Sequence, residues 1–259
     1  MTIKHLMQGF LLLGILLIAL LLPAYAIADQ QTENSDRIAN LIKTLESKRQ
    51  EHHIPGMAIA VVKDDQVILS HGFGLKDMAQ NQPVTPDTLF AIGSTGKAFT
   101  ATLAAVQVDS GRLNWDDQVS QYLPDYLFQV DGKPLPITIR DTLSHRTGYT
   151  RNDLLWANGQ ASRDLILKTS PQAQPWDDFR TSFHYNNVMY LATGEVIAQL
   201  AGTSWDAYLQ QALLQPLGMQ HSTSIHEQAI KKNNLALGYQ WNDATETHDL
   251  MPRRNLNNV

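Results

Sequence analysis

Cysteine is absent from the 259-residue sequence, which excludes disulfides, thiolate zinc sites, iron–sulfur clusters and a cysteine nucleophile. An excess of basic residues is also lacking, since 20 lysines and arginines stand against 25 acidic residues for a formal charge of −5. Proteins that bind nucleic acid or anionic membrane surfaces present clustered positive charge. We therefore expect neither of these as a partner.

Repeated and low-complexity segments are missing too, and the composition is ordinary for a globular protein. Hydrophobic residues make up 43% of the chain and charged residues 17%, with 15 glycines and 11 prolines. These values exclude collagen-like and wholly disordered chains. The length fits one large domain or two small ones.

Residues 1–28 have the pattern of an export signal. Lys4 supplies a positive charge, an unbroken apolar run follows from Phe10 to Leu22, and two overlapping small-x-small patterns end at Ala28. Cleavage there predicts a periplasmic or secreted protein with no stable membrane partner. An uncleaved anchor is the alternative, because the mostly apolar stretch of about 19 residues approaches the roughly 20 that a spanning helix needs.

Residues 29–92 are predicted to form the N-terminal part of an α/β sheet domain. Over residues 31–51, apolar side chains recur at the spacing i, i+3, i+4, i+7, which predicts one amphipathic helix. The continuous apolar, β-branched run Met57–Val62 predicts a strand covered on both faces. A tight turn leads into a second strand over Gln66–Phe73, which closes a hairpin.

Residues 93–259 are predicted to form a mostly helical domain. Periodicity and capping residues predict four helices, over Phe99–Val108, Thr138–Ser144, Asn187–Ala201 and Trp205–Leu214. Across the chain, proline-containing segments predict three loops, over Asn81–Asp87, Trp115–Pro136 and Pro171–Phe183. These elements together predict the α+β class.

One serine stands at a predicted helix N-terminus. Ser94 is followed one turn later by Lys97, which places their Cβ atoms roughly 5–6 Å apart. A serine hydroxyl is a poor nucleophile until a base takes its proton, and a lysine can be that base only when its pKa is lowered. The helix N-terminus would favour a developing oxyanion. The spacing alone is weak evidence, because an N-cap serine beside a solvated lysine has the same pattern.

A second candidate element lies at a loop–helix junction. Tyr185 offers a phenol that can exchange a proton, and Asn187 offers an amide that can hydrogen-bond a ligand. The structural alternative is that Tyr185 only packs and that Asn187 caps the following helix. His184, next to Tyr185, is predicted to pack, with electrostatic tuning of the site as its alternative role.

Taken together, these elements resemble the penicillin-recognising serine hydrolases. The stretch Ser94-Thr95-Gly96-Lys97, followed by Tyr185-Asn186-Asn187, is similar to the first two motifs of that family. Within the family, the sequence is most similar to the branch of class C β-lactamases, D,D-carboxypeptidases, D-aminopeptidases and related esterases. Further stretches that support this branch are Pro55–Val62, Thr142–Gly148 and Pro216–Met219.

The resemblance implies a role for each matching residue. Ser94 would attack a carbonyl and form an acyl-enzyme, with its backbone N–H as one oxyanion donor. Lys97 would take the hydroxyl proton or hold the proton network. Tyr185 would act as acid or base on the leaving group and on the deacylating water, and Asn187 would hydrogen-bond the amide of the substrate. His145 lies in a turn that is mainly structural in this family.

No metal and no cofactor are expected. The spacing of His221 and His226 does not place them on one face of a helix, and no His-Glu-x-x-His pattern is present. A metal hydrolase stays open as an alternative, which loss of activity with a chelator would reveal.

One motif of the family has no counterpart here. The family carries Lys-Thr-Gly or His-x-Gly on a strand that lines the site, well over a hundred residues after the tyrosine motif. Only residues 188–259 follow Asn187, and none of them reads as either pattern. We therefore expect a chain truncated before its C-terminal strands, and we expect the truncated chain itself to be inactive.

The resemblance therefore implies a serine hydrolase with a β-lactamase/D,D-peptidase-like fold. The expected architecture is an antiparallel sheet flanked by helices plus a mostly helical domain, with the C-terminal strands missing. The expected reaction is hydrolysis of an amide, lactam or ester in a small-molecule or peptide substrate, such as a D-amino-acid peptide. The alternative is an inactive fragment or a binder of peptidoglycan fragments.

Overall fold

The computed structural model of the chain describes residues 34–253. The predicted export signal, residues 1–28, lies outside the described residues, as does the start of the first predicted helix. A helix both long enough and apolar enough to cross a membrane is not found between residues 34 and 253.

The helices and strands that the structure describes are, in chain order, α1 (34–51), β1 (Gly56–Lys63), β2 (Gln66–Asp77), β3 (Gln82–Pro83), α2 (Lys97–Asp109), α3 (Val119–Tyr122), β4 (Gln129–Val130), β5 (Lys133–Pro134), α4 (Ile139–Leu143), α5 (Arg163–Thr169), α6 (Asn187–Ala201), α7 (Trp205–Leu209), α8 (His226–Lys231), β6 (Tyr239–Asn242) and β7 (Thr247–Leu250). Short 3-10 turns cover Gly93–Gly96, Asp153–Leu155 and Ser170–Gln172, and a π-helical turn covers Gln210–Leu214. Antiparallel hairpins thus accompany a larger helical region, which confirms the predicted α+β class.

The chain divides into two compact units. Of the described residues, the first unit contains residues 34–86 together with Trp241–His248, and the second contains Asp87–Gln240 and residues 249–253. This division differs from the predicted boundary at residue 92, since residues 87–92 belong to the helical unit and residues 241–248 to the sheet unit. All the predicted site residues lie in the second unit.

The sheet of the first unit has the strand order β1-β2-β3, with antiparallel pairing throughout. The pairing of β1 with β2 runs from Gly56 opposite Gly74 to Lys63 opposite Gln66. The two residues between these strands, Asp64 and Asp65, both have positive φ (51° and 60°), as a tight hairpin turn of the favoured twist requires. The hairpin is confirmed. However, β3 adds a strand inside the segment that was predicted to be a loop.

The predicted burial of β1 on both faces is wrong. The side chains at positions 57, 59 and 61 are half-buried, whereas those at positions 58, 60 and 62 are exposed. This alternation is the usual pattern of an antiparallel sheet that is covered on one side. An apolar run shows only that a strand tolerates burial on both faces, because the elements that cover it are encoded elsewhere in the chain.

Helix α6 lies at the centre of the helical unit. It packs against α2, α3, α4, α5 and α7, and the side chains of Met189, Val196 and Ile197 are completely buried. Its predicted bounds are confirmed. The helix ends at Gly202, whose φ of +66° is the left-handed C-cap conformation that favours glycine.

The other predicted helices are present with adjusted ends. Helix α2 begins at Lys97, two residues before the predicted start, and α4 begins at a capping box formed by Thr138 and Asp141. The predicted helix Trp205–Leu214 is α7 followed by the π-helical turn. The sequence analysis missed the short elements α3, α5, α8 and the hairpins β4–β5 and β6–β7. These elements are too short for periodicity to identify.

Candidate active site

The chain reaches Ser94 through a tight turn. Gly93, directly before it, has a φ of +53°, in the left-handed region where a side chain would be strained. The 3-10 turn Gly93–Gly96 then runs straight into α2. Ser94 is exposed on this turn, so its hydroxyl is accessible at the N-terminal side of a buried helix.

Two side chains donate hydrogen bonds to the Ser94 hydroxyl. The Tyr185 hydroxyl donates a hydrogen bond of 2.6 Å to Ser94 Oγ, although the two residues are 91 positions apart. Lys97 Nζ donates to the same oxygen at 3.3 Å. The Lys97 ammonium also lies 4.7 Å from the centre of the Tyr185 ring, which is within the range of a cation–π contact.

Asn187 completes the group from the first turn of α6. Its Oδ1 accepts a hydrogen bond of 2.5 Å from Lys97 Nζ. The alternative in which Asn187 caps α6 is wrong, since the N-cap is Asn186, whose side chain accepts from the Met189 N–H at 3.3 Å. The structure therefore brings together all four residues that the resemblance pointed to.

The charges around Tyr185 favour its phenolate form. Burial alone would raise the pKa of the Tyr185 phenol. Hydrogen bonds with Lys97 and Ser94 lower that pKa, and so do the positive charges of Lys97 and Arg151. The net result is a pKa below the ordinary value of 10. A phenol with a lowered pKa next to a serine hydroxyl can act as a general base.

Asn186 and His145 fix the backbone that carries Tyr185. The Asn186 N–H donates to His145 Nδ1 at 3.1 Å, and the Asn186 side-chain amide donates to the Thr150 carbonyl at 2.5 Å. The His184 N–H donates to the His145 carbonyl at 2.9 Å. Tyr185 is thus held by hydrogen bonds on both sides along the chain.

His145 contributes to this arrangement as a packed, neutral ring. It is 6% exposed, and its ring lies 4.6 Å from that of Tyr185. Burial, followed by the charge of Lys97, lowers the pKa of His145. Because Nδ1 accepts a hydrogen bond, the neutral ring carries its proton on Nε2. The geometry favours a positioning role, as the resemblance implied.

A buried carboxylate that the sequence analysis missed supports the turn around His145. Asp141 is completely buried and accepts hydrogen bonds from Arg180 at 2.7 and 2.9 Å and from Arg146 at 3.3 Å. Burial would raise the pKa of Asp141, but these arginines and Thr138 lower it to about 2. The sequence did contain a pattern that could have identified Asp141, because Thr138 and Asp141 have the spacing of a capping box.

His184 does not reach the Ser94 group. Its Nε2 lies 2.6 Å from Asp177 Oδ2 and 3.0 Å from Ser182 Oγ. These contacts lie within the loop that precedes α6. The structure places His184 in loop packing, which agrees with the predicted role.

A cleft of about 330 Å³ extends from Ser94 along α6. Near the serine it is lined by Lys97 and Asn187, and its far end is lined by a connected group of residues, Arg163, Glu195, Trp205, Asp206 and Ser224. Trp156 also lines the cleft. The sequence analysis did not identify this far end, because its residues come from separate elements. Within the described residues, His, Asp and Glu side chains form no group of three or more that could hold a metal ion.

Comparison with known proteins gives one matching family and several similar proteins. The beta-lactamase family profile matches residues 41–255. The chain is 33% identical over 213 residues to the unguisins hydrolase ungD' of Aspergillus campestris, an alignment that covers 78% of this chain and 40% of that protein.

Many solved structures are similar to this chain, among them a penicillin-binding protein homologue and a class C beta-lactamase. The octameric penicillin-binding protein homologue from Pyrococcus abyssi aligns with a TM-score of 0.71 and 26% identity, over 86% of this chain and 51% of that one. A class C beta-lactamase aligns with a TM-score of 0.68 and 27% identity, over 87% of this chain and 59% of that one. The chain thus spans about half the length of the proteins that it matches.

Proposed function

The chain belongs to the beta-lactamase family, and on that premise we propose that it is a serine hydrolase that forms an acyl-enzyme on Ser94. The observation that carries the proposal is the geometry at one oxygen atom. Ser94 Oγ lies 2.6 Å from the Tyr185 hydroxyl and 3.3 Å from Lys97 Nζ. The proposed substrate is a small molecule or peptide that contains an amide, a lactam or an ester.

In the acylation step, Tyr185 is the better-placed base. Its oxygen is nearer to Ser94 than the lysine nitrogen is, and its lowered pKa increases the phenolate fraction. The phenolate takes the Ser94 proton as the serine oxygen bonds to the carbonyl carbon. The Lys97 ammonium stabilises the phenolate before this transfer.

The tetrahedral intermediate then collapses to the acyl-enzyme. The bond between the carbonyl carbon and the leaving group breaks, and Tyr185 returns its proton to the leaving group. A water molecule then gives a proton to Tyr185 and attacks the ester carbon. The bond between this carbon and Ser94 Oγ breaks, and Tyr185 returns the proton to Ser94 Oγ, which releases the carboxylic acid and restores the Ser94 hydroxyl.

Two groups are placed to bind the reacting carbonyl and its neighbours. The first N–H groups of a helical segment have no partner inside that segment, so the Ser94 N–H can donate to the developing oxyanion. Asn187 uses its Oδ1 to accept from Lys97, which leaves its amide N–H groups for an amide carbonyl of the substrate. Asn187 thus orients the substrate and Lys97 together.

A second candidate function is ligand binding without covalent chemistry. The observation in its favour is the cleft of about 330 Å³ beside Ser94, which can hold a ligand whether or not Ser94 reacts with it. A protein of this kind would bind peptidoglycan fragments in the same cleft. It would leave Ser94 unmodified.

Hydrolysis assays on three substrate types separate the two candidates. A chromogenic cephalosporin, a D-alanyl ester and a p-nitrophenyl ester are each incubated with the wild-type chain and with Ser94→Ala. Product that depends on Ser94 with any of the three substrates supports the serine hydrolase. Binding of a D-alanyl peptide without Ser94-dependent product from any substrate would favour the binding function instead.

We also propose that the protein is exported, on the basis of the charge and hydropathy pattern of residues 1–28. Mass spectrometry of the protein recovered from the periplasm or medium tests this. A mature N-terminus near residue 29 supports export with cleavage, and a full-length chain confined to the cytoplasm contradicts it.

A further inference from the structure

The far end of the cleft contains a carboxylate, Glu195, whose ion pair with its nearest cation is long. Glu195 is half-buried on α6, with 30% of its side chain exposed. Its nearest cation is Arg163, whose Nη1 lies 3.9 Å from Glu195 Oε1. That distance is too long for a hydrogen bond, and no side chain between residues 34 and 253 donates a hydrogen bond to this carboxylate.

The neighbouring carboxylate, Asp206, takes up the available donors. Its Oδ2 accepts from Arg163 at 3.2 Å, and its Oδ1 accepts from Ser224 at 2.7 Å. The arginine charge is therefore directed mainly at Asp206. Burial raises the pKa of Glu195 and Asp206 raises it further, while Arg163 only partly offsets them. Glu195 and Asp206 thus share one arginine, which leaves this end of the cleft with an excess of negative charge.

An aromatic ring lines the same end of the cleft. Trp205 contributes to the wall, and its ring lies against α6 at Gly194, directly before Glu195. Indole faces attract cations through their quadrupole. Two carboxylates that share one arginine, beside an indole ring, fit a positively charged group that can also donate hydrogen bonds.

The cleft connects this end to the reactive serine. Ser94, Lys97 and Asn187 line one end and Glu195 lines the other. Glu195 follows Asn187 by eight residues on α6, which corresponds to about 12 Å along the helix axis. A group bound at Glu195 would therefore be carried on an extended chain rather than attached next to the reacting carbonyl.

We propose that Glu195 and Trp205 form a subsite for a primary ammonium group at the far end of the acyl chain of the substrate. The substrate class is then an acyl donor with a terminal amine, separated from the reacting carbonyl by several carbon atoms. This inference rests on the proposed function, because it assumes that the acyl group is attached to Ser94.

An equilibrium titration tests the subsite without any chemistry at Ser94. 6-Aminohexanamide, 6-hydroxyhexanamide and hexanamide are each titrated into the full chain, and binding is followed by tryptophan fluorescence. The amine is expected to bind on the order of tenfold more tightly than the hydroxyl compound, since hydrogen bonds to a charged group are stronger than neutral ones. High salt should reduce this preference. Equal binding of the amine and the hydroxyl compound would overturn the inference.

Two matched substitutions assign the preference to one carboxylate. Glu195→Gln keeps the shape and removes the charge, and it should abolish the preference for the amine. Glu51→Gln makes the same change in an exposed residue of α1 and should leave the preference intact. The three compounds compared on the wild-type chain keep the inference testable even if Glu195→Gln does not fold.

An acylation assay separates this inference from the proposed function. The p-nitrophenyl esters of 6-aminohexanoic acid, 6-hydroxyhexanoic acid and hexanoic acid are each mixed with the chain. The release of p-nitrophenolate by the wild-type chain is compared with its release by Ser94→Ala. Ser94-dependent release that is roughly tenfold faster for the amino ester supports both claims. Ser94-dependent release without an amine preference overturns the subsite alone. Absence of Ser94-dependent release contradicts the proposed function, and the titration still decides the subsite.

Discussion

Tyr185 Oη and Ser94 Oγ lie 2.6 Å apart, although 91 positions of sequence separate them. The contact depends on two supports. Helix α2, which follows Ser94, packs against α6, and Asn186 fixes the start of α6 through hydrogen bonds to His145 and Thr150. The proposed chemistry therefore depends on a small number of interactions that can be altered one at a time.

Lys97→Ala is expected to slow acylation of the chain by a reactive ester by a factor on the order of 10² to 10⁴, the usual effect of losing a positioned proton-transfer group. Lys97 contacts Ser94 and Asn187 and lies over the Tyr185 ring, so its removal disturbs the whole group. Single-turnover release of p-nitrophenolate measures the rate. Lys168→Ala is the control, because Lys168 pairs with Asp164 on an exposed face of α5 and lies outside the Ser94 group. A loss of less than about tenfold for Lys97→Ala would place it outside the proton network.

Tyr185→Phe is expected to preserve the melting temperature and to reduce acylation strongly, because it removes only the hydroxyl. The pH profile gives a second readout. If the phenolate is the base, the wild-type rate should rise with pH through the pKa of Tyr185, which lies below 10. The variant should lack that rise. An unchanged profile in Tyr185→Phe would show that the titrating base is another group.

Asn186→Ala is expected to lower both the stability and the acylation rate. The cap of α6 is worth about 1 kcal/mol, and the Thr150 carbonyl loses its side-chain donor. The rate should fall because Tyr185 and Asn187 flank the altered residue. Asn114→Ala, at an exposed loop position, is the control for the same substitution. Thermal melting and single-turnover kinetics are measured for both variants, and a stability loss without any rate loss would contradict the positioning role.

Asp141 makes the stability of the chain depend on pH in the acid range. Its pKa is lowered from 3.8 to about 2, so the unfolded state binds the proton more readily than the folded state does. The stabilisation, about 2 kcal/mol, is complete above pH 4 and is lost as the pH falls towards 2. Asp141→Asn should lose this amount at neutral pH, and its stability should converge with that of the wild type near pH 2.

Denaturant unfolding at several pH values measures this dependence. Asp116→Asn is the matched control, because Asp116 also pairs with an arginine but is 72% exposed. An exposed pair contributes little, so this variant should differ only slightly from the wild type. Equal losses for the two variants would mean that burial of Asp141 does not determine its contribution.

Local features of the fold were predictable because they depend on residues close together in sequence. The spacing of Ser94 and Lys97 follows from the helical repeat, and the apolar periodicity of residues 187–201 gave α6 its correct bounds. The β1–β2 hairpin was predictable from its apolar runs and the tight turn between them. In each case the residues that form the sequence pattern also form the structural feature, and they lie close together along the chain.

Features that depend on distant residues were not predictable from these patterns. The contact between Tyr185 and Ser94 was expected only through the resemblance to a known family, since nothing in the spacing brings these residues together. The structural alternative placed the cap of α6 at Asn187, one residue away from its position at Asn186, because the two side chains are chemically identical. The subsite around Glu195 requires α5, α6 and α7 to converge, and no sequence window contains all three.

The most direct test of the account is the mass of the protein after reaction with a penicillin or an activated ester. Intact-protein mass spectrometry should show the addition of one acyl group, and peptide mapping should locate it on Ser94. Ser94→Ala should show no addition, whereas Ser70→Ala, an exposed serine on β2, should be labelled like the wild type. An acyl group on another residue, or equal labelling of Ser94→Ala, would contradict the assignment of Ser94 as the nucleophile.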